Sequence, residues 1–216
     1  MEVAIAGGHG KIGRLLGKRL ADERHGVIGL IRSPDHEADL HAIGMEPVLC
    51  DLETAAEDEV AAAVSGADAI VFAAGAGAGS GAERKRTMDL GGAVKLIDAA
   101  KADGIRRYLM VSSMGAGNPP PPGDGDVFGE YLRAKAAADQ ALEQSGLEYT
   151  IVRPGGLTDA PPTGRIELGS GLDRGQIPRA DVAALLHACL VPPHTIDWTF
   201  DVVSGETPIE QALASL

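Results

Sequence analysis

Three side chains in this sequence have the types and spacing that reduction of a carbonyl group requires. Tyr131 and Lys135 stand four residues apart in YLRAK, so on a helix they share one face. Ser112 and Ser113 close the apolar run RYLMVSS, residues 107–113. Hydride transfer to a carbonyl needs a proton for the developing alkoxide. A tyrosine releases its proton poorly at an ordinary pKa of about 10, and an ammonium group beside it favours the phenolate. Tyr131 is then the expected proton donor. Lys135 tunes it and holds a nicotinamide ribose. Ser113 orients the acceptor carbonyl, with Ser112 against the cofactor. The same residues also fit a surface helix with a half-buried tyrosine and a solvated lysine, and a Pro-rich insert separates Ser113 from Tyr131.

A second pattern supplies the hydride carrier. Gly7-Gly8-His9-Gly10-Lys11-Ile12-Gly13 follows the apolar run EVAIAG and opens an amphipathic stretch over 11–24. Glycines three apart permit a tight turn, close approach of backbone amides to a pyrophosphate, and close helix–strand packing. The phosphates would meet the positive end of the helix dipole. His9 can donate to a phosphate, although a solvent-facing loop position suits it as well. An acidic residue to hold a ribose 2′-hydroxyl is expected about 20 residues on. That place holds Arg32 and Ser33, which favours NADP(H) over NAD(H), because Arg offers paired donors to a 2′-phosphate. Asp35 is near enough to blur the preference, and Arg32 also reads as a solvated strand-end residue. Lys11 and Arg14 add positive charge. Asp51-Leu52 follows the third apolar run and suits an adenine amine and ring, or a helix cap.

Elements must position these groups. Apolar runs at 2–7, 27–32, 47–51, 68–75, 107–113 and 148–154 alternate with amphipathic stretches at 11–24, 54–65, 83–103 and 128–145. Continuous apolar strands separated by helices predict a parallel, doubly wound α/β sheet. The acidic run at 57–59 suits a helix start. Two loops, the Gly/Ala-rich 73–82 and the Pro-rich 117–126, fall at carboxyl ends of strands, where ligands bind in such sheets. After residue 154 the alternation weakens. RIEL (165–168), a helix near 179–190, WTFDVVS (198–204) and an end helix suggest that 155–216 forms a small substrate lobe on a single domain.

The 216 residues carry 19 Lys and Arg against 31 Asp and Glu, a net charge of −12. That argues against nucleic acid or an anionic membrane surface as partner. No apolar run is long enough to span a membrane, the N-terminus lacks a secretion-signal pattern, and two cysteines make no disulfide framework. A cytoplasmic location with a small-molecule substrate is expected. His25, His36, His41, His187 and His194 share no metal-ligand spacing. Arg153, before Pro154, reads as a buried arginine pairing with a helix end.

Taken together, GGHGKIG (7–13), IRS (31–33), CDL (50–52), FAAGAG (72–77), YLMVSSMGA (108–116), YLRAK (131–135), YTIVRPGGLTD (149–159) and IPRADVA (177–183) resemble the short-chain dehydrogenase/reductase superfamily. The resemblance is to its atypical NAD(P)H-binding branch, similar to flavin/biliverdin-IX-beta reductase-like and NmrA-like proteins. It implies that Ala73, Ala74 and Gly75 pass near the nicotinamide ribose and that Pro154 and Gly155 touch the nicotinamide end. It also implies that 179–182 packs the lobe against the cofactor fold, in a monomer or weak dimer. The chain departs from ordinary members of the superfamily in having Ala-Ala-Gly after the fourth strand and GxxGxxG in the loop. The expected function is an NADP(H)-dependent oxidoreductase passing hydride to a small carbonyl, flavin or quinone-like acceptor. Alternatives are a non-catalytic NADP(H)-sensing regulator and a sugar-nucleotide epimerase or dehydratase, for which the region after Pro154 is short.

Overall fold

The computed structural model describes residues 1–77, 79–123, 126–190 and 195–216. His194 and three positions of the two glycine- and proline-rich loops, 78, 124 and 125, lie outside the described residues. The predicted apolar runs form β1 (Glu2–Ala6), β2 (Gly26–Ile31), β3 (Glu46–Leu49), β4 (Ala69–Phe72), β5 (Arg107–Val111) and β6 (Glu148–Pro154). All six pair in parallel, in the order β3-β2-β1-β4-β5-β6. The chain winds outward from β1 to β3, then returns to β4 on the other side of β1. That reversal opens a crevice at the carboxyl ends of β1 and β4, where this architecture binds ligands.

Helices cover both faces, as the unbroken apolar strands require. They include α1 (Lys11–Asp22), α2 (Glu37–His41), α3 (Glu57–Val64), α4 (Ala82–Arg84), α5 (Ala93–Ala102) and α6 (Val127–Glu143). Along β1 the side chains divide strictly by parity. Val3 and Ile5 join a core with Leu16 and Leu20 of α1, whereas Ala4 and Ala6 join one with Leu96 of α5 and Ala138 of α6.

The segment after residue 154 contributes β7 (Gly156–Thr158), β8 (Arg165–Gly169), β9 (Gln176–Pro178), α7 (Arg179–Leu190), β10 (Trp198–Ser204), β11 (Thr207–Pro208) and α8 (Ile209–Ala214). β10 pairs parallel with β6, and β8 and β11 continue outward in antiparallel pairing, giving nine strands. β7 and β9 form a separate parallel pair. α7 packs beside α1, and its Val182, Leu185 and Leu186 complete the first core.

Two local features go beyond the expectation. Ser33 lies just past β2. Its hydroxyl accepts the Asp35 N–H and caps a short 3-10 turn, Pro34–His36, that leads into α2. The long helix expected over 83–103 is divided, because Lys85–Gly92 is π-helical between α4 and α5. Such segments frequently occur at functional sites. None of the described helices is long and apolar enough to cross a membrane.

Candidate functional site

The glycine loop joins β1 to α1. Gly7 has φ +79, and a Cβ there would stand 2.8 Å from the Ala74 Cα and 2.9 Å from the Ala73 carbonyl oxygen. Only glycine lets the loop after β4 lie against the loop after β1. Gly10 begins α1 without a side-chain cap, and the first turn of α1 holds no acidic residue. Its first amides therefore keep donors to offer an anion. This cradle fits a dinucleotide pyrophosphate.

On one side of Gly7 and Ala73–Gly75 lies a cavity of about 300 Å³, with Arg32, Asp51, Leu52 and His36 in its wall. Arg32 is exposed and makes no hydrogen bond among the described residues. Asp51 accepts the Glu53 N–H at 3.1 Å, a local turn contact rather than a helix cap, and Leu52 is buried beside it. His9 is not simply solvent-facing. Its ring stacks on His36 with centroids 3.7 Å apart, and its Nε2 lies 2.8 Å from Asp39. Glu53 and Arg84 close the wall with a 2.7 Å ion pair. Hydrogen bonding from Arg84 holds the Glu53 carboxyl below the usual carboxylate range, against the opposing effect of burial.

The positive charges expected at the phosphates point elsewhere. Lys11 donates to Asp159, and Arg14 lies 3.5 Å from Asp39; both line a groove between α1 and α7 rather than the cavity. Arg179 joins Asp159 at 2.7 Å. Opposite charges on the 158–160 segment and on α2 capture these long side chains.

On the other side of Ala73–Gly75, Ile12, Ser112, Tyr131, Lys135 and Leu157 line a second cavity of about 730 Å³. Helix α6 brings Tyr131 and Lys135 to it from one face, as their spacing predicted. The ammonium of Lys135 does not bond to the tyrosine hydroxyl. It stands 6.0 Å from the Tyr131 ring centroid, donates to the Val111 carbonyl at 3.1 Å and lies 3.3 Å from Asp89 Oδ1. Lys135 and Asp89 are both buried, their side chains 4% and 1% exposed. Asp89 Oδ2 also accepts the Ala76 N–H, tying the loop after β4 to the π-helical segment. From that segment Lys85 donates to the Gly77 carbonyl at 2.9 Å and lies 5.1 Å from the Tyr131 ring centroid.

Ser113 is not brought to this cavity. With Pro154 and Gly155 it lines a third cavity, also about 730 Å³, whose wall meets the second at Phe128. Ser113 Oγ donates to the Met114 carbonyl. Consecutive residues leaving β5 point to opposite sides, so Ser112 faces Tyr131 and Ser113 faces away. Ser112 donates to Asp139 Oδ2 at 2.9 Å, and Arg153 Nε donates to the same oxygen at 2.8 Å. Arg153 therefore pairs with a side chain about one turn before the C-terminal end of α6, not with the helix terminus itself. Burial pushes the Asp139 carboxyl up, opposed by Arg153 and Ser112.

Reading the sequence missed Lys85, Asp89, Asp139 and the Glu53–Arg84 pair. Nothing in a charged helical stretch separates these from solvated charges, and the π-helical turn that buries Lys85 and Asp89 leaves no composition signal.

The family described as NAD(P)H-binding matches residues 7–193. The chain is 42% identical over 217 residues to a Bacillus subtilis protein named uncharacterized sugar epimerase YhfK, covering all of both chains. The structure of a putative NAD-dependent epimerase/dehydratase from Bacillus halodurans superposes with a TM-score of 0.91 at 35% identity, over the full length of each. ChuY, an anaerobillin reductase from Escherichia coli O157:H7, superposes with a TM-score of 0.81 at 28% identity, over 95% of this chain and 98% of that one. The glycine cradle, the sheet order and these likenesses agree, and are consistent with the resemblance to atypical short-chain dehydrogenases/reductases: the chain belongs to the NAD(P)H-binding family.

Proposed function

We propose that the protein is an NADPH-dependent reductase of a small carbonyl, flavin or quinone-like acceptor. One observation carries this reading. The groove over the carboxyl ends of β1 and β4 runs from the Arg32 cavity, past Gly7 and Ala73–Gly75, into the cavity that holds Tyr131 and Lys135. The reductase ChuY, which superposes over most of the chain, adds support.

Bound NADPH supplies the hydride. The open first turn of α1 would hold its pyrophosphate, and Arg32 would meet its 2′-phosphate. Tyr131 gives the proton from its hydroxyl to the acceptor oxygen. The ammonium groups of Lys85 and Lys135 then face the negative charge left on that side chain. Asp89 and the Val111 carbonyl fix Lys135 in place. Ser112, rather than Ser113, is the serine on the Tyr131 side, and its bond to Asp139 holds it. Residues 155–216 contribute acceptor-side wall, Leu157 to the second cavity and Gly155 and Gln176 to the third. A net charge of −12 supports a small molecule, not nucleic acid, as partner.

Stopped-flow loss of NADPH absorbance against quinones, flavins and aldehydes tests the reading. Turnover is expected with at least one class, falling about 100-fold or more in Tyr131→Phe. Undiminished turnover in that variant removes the proton-donor role. A second reading, a regulator that binds NADP(H) without turnover, is favoured by the pairing of Lys135 with Asp89 instead of Tyr131. It predicts tight binding with no NADPH loss. An epimerase, the activity in the Bacillus subtilis relative's name, would retain the cofactor and show no net consumption while converting a sugar nucleotide.

A further inference from the structure

The third cavity holds an arginine with an unusual arrangement of partners. Arg153 is fixed through Nε, which donates to the buried Asp139 at 2.8 Å, and its side chain is 19% exposed. Its two terminal nitrogens make no hydrogen bond among the described residues, although the residue lines the cavity. Neither terminal nitrogen is fully buried, so both donors are open to a ligand that enters the cavity. The backbone reinforces the arrangement. A Cβ at Gly117 would sit 2.8 Å from Arg153 Nη1, so glycine lets the loop approach without covering the fork.

The remaining wall suits the same kind of ligand. Arg174 and Gln176 both line the cavity and both are exposed. One carboxylate, Asp201, also lines it, and accepts the Gly171 N–H at 3.0 Å. Two cations, Arg153 and Arg174, face the cavity against the single lining carboxylate Asp201, with Asp139 paired to Arg153 from behind, in a chain of net charge −12. The cavity, about 730 Å³, is within the size range of small-molecule sites. It meets the Tyr131 cavity at Phe128, an exposed ring 6.0 Å from the Tyr131 ring.

We propose that Arg153 and Arg174 form an anion subsite that holds the carboxylate of an acceptor whose reducible group lies beside Tyr131. The fork of Arg153 matches the two oxygens of a carboxylate. Asp139 keeps that fork oriented from behind, and the same carboxyl holds Ser112 on the Tyr131 side. The inference rests on the reductase reading for the location of the reducible group, and on the cavity alone for the anion.

The test compares 4-formylbenzoate with its methyl ester, titrated calorimetrically into the full chain loaded with NADP. The acid is expected to bind about tenfold tighter than the ester, the size of one charge-assisted hydrogen bond. Arg174→Gln should cut that preference at least threefold. Arg174 makes no hydrogen bond among the described residues, so this variant folds normally. Arg153→Lys keeps a cation for Asp139 but loses the fork, and should cut the preference further. No binding of the acid, equal binding of acid and ester, or a preference that survives both substitutions overturns the subsite. NADPH oxidation by the same pair separates the two ideas. Acid preference in binding with no oxidation of NADPH leaves the subsite standing and refutes reduction of this aldehyde pair, whereas oxidation with no acid preference does the reverse.

Discussion

The buried pair Lys135–Asp89 gives a sharp measure of whether the site is held as described. The two charges are 3.3 Å apart, with side chains 4% and 1% exposed. At an effective dielectric of about 20 their direct attraction is about 5 kcal/mol. Much of that only offsets their desolvation, so the pair contributes little net stability. Breaking it is different. Asp89→Asn leaves a buried ammonium with neutral acceptors but no counter-charge, and Lys135→Met leaves a buried carboxylate with the Ala76 N–H. Each single change should cost about 3 kcal/mol. The double variant removes both charges and should cost less than the sum, with a coupling of about 2 kcal/mol. Urea unfolding of the four proteins at pH 7 measures this, provided the m value stays constant. Single effects that add within about 0.5 kcal/mol would show that the two groups do not form a coupled pair.

Arg32→Ala should weaken NADP binding by about tenfold or more and leave NAD binding unchanged, since a hydrogen bond to a charged group is worth about 1.5–3 kcal/mol; equal NADP affinity in variant and wild type, by fluorescence titration, removes the role of Arg32. Gly7→Ala places a methyl group against Ala73 and Ala74 at positive φ, so cofactor affinity and thermal stability should both fall, and normal values of both refute the close approach. The Glu53 carboxyl titrates lower in the folded protein than its ordinary value because of Arg84. The unfolded chain therefore binds the proton first as pH falls, and this contribution to stability, present above about pH 4.3, is lost on acidification. Arg84→Met should move acid unfolding to higher pH, and an unchanged acid midpoint by circular dichroism counts against the pair.

Much of the site was legible because it depends on local spacing. The glycine loop must sit between a strand and a helix, and the sequence around residues 2–13 admits no other arrangement. Tyr131 and Lys135 share a face by helical periodicity alone. Arg32 stands at a strand end whose position follows from the loop. The misreadings have a common cause. Lys11 and Arg14 have long side chains whose direction is set by which carboxylate lies within reach. Asp159 is 148 residues from Lys11 in sequence, so no local pattern announces it. The parity of Ser112 and Ser113 turns on where β5 ends, and strand ends are the least determined part of a sequence reading.

The sequence by itself determined the strand–helix alternation, the parallel sheet and the dinucleotide cradle, because periodicity, apolar runs and glycine spacing are properties of neighbouring residues. Tertiary structure alone decided which charges are paired and which are left with open donors. Burial of Lys135 against Asp89, capture of Lys11 by Asp159, and the fixing of Arg153 by Asp139 with its outer nitrogens toward a cavity all join residues from separate elements. The dielectric around a charge and the partner it meets are set by the packing of the whole chain, not by its neighbours in sequence.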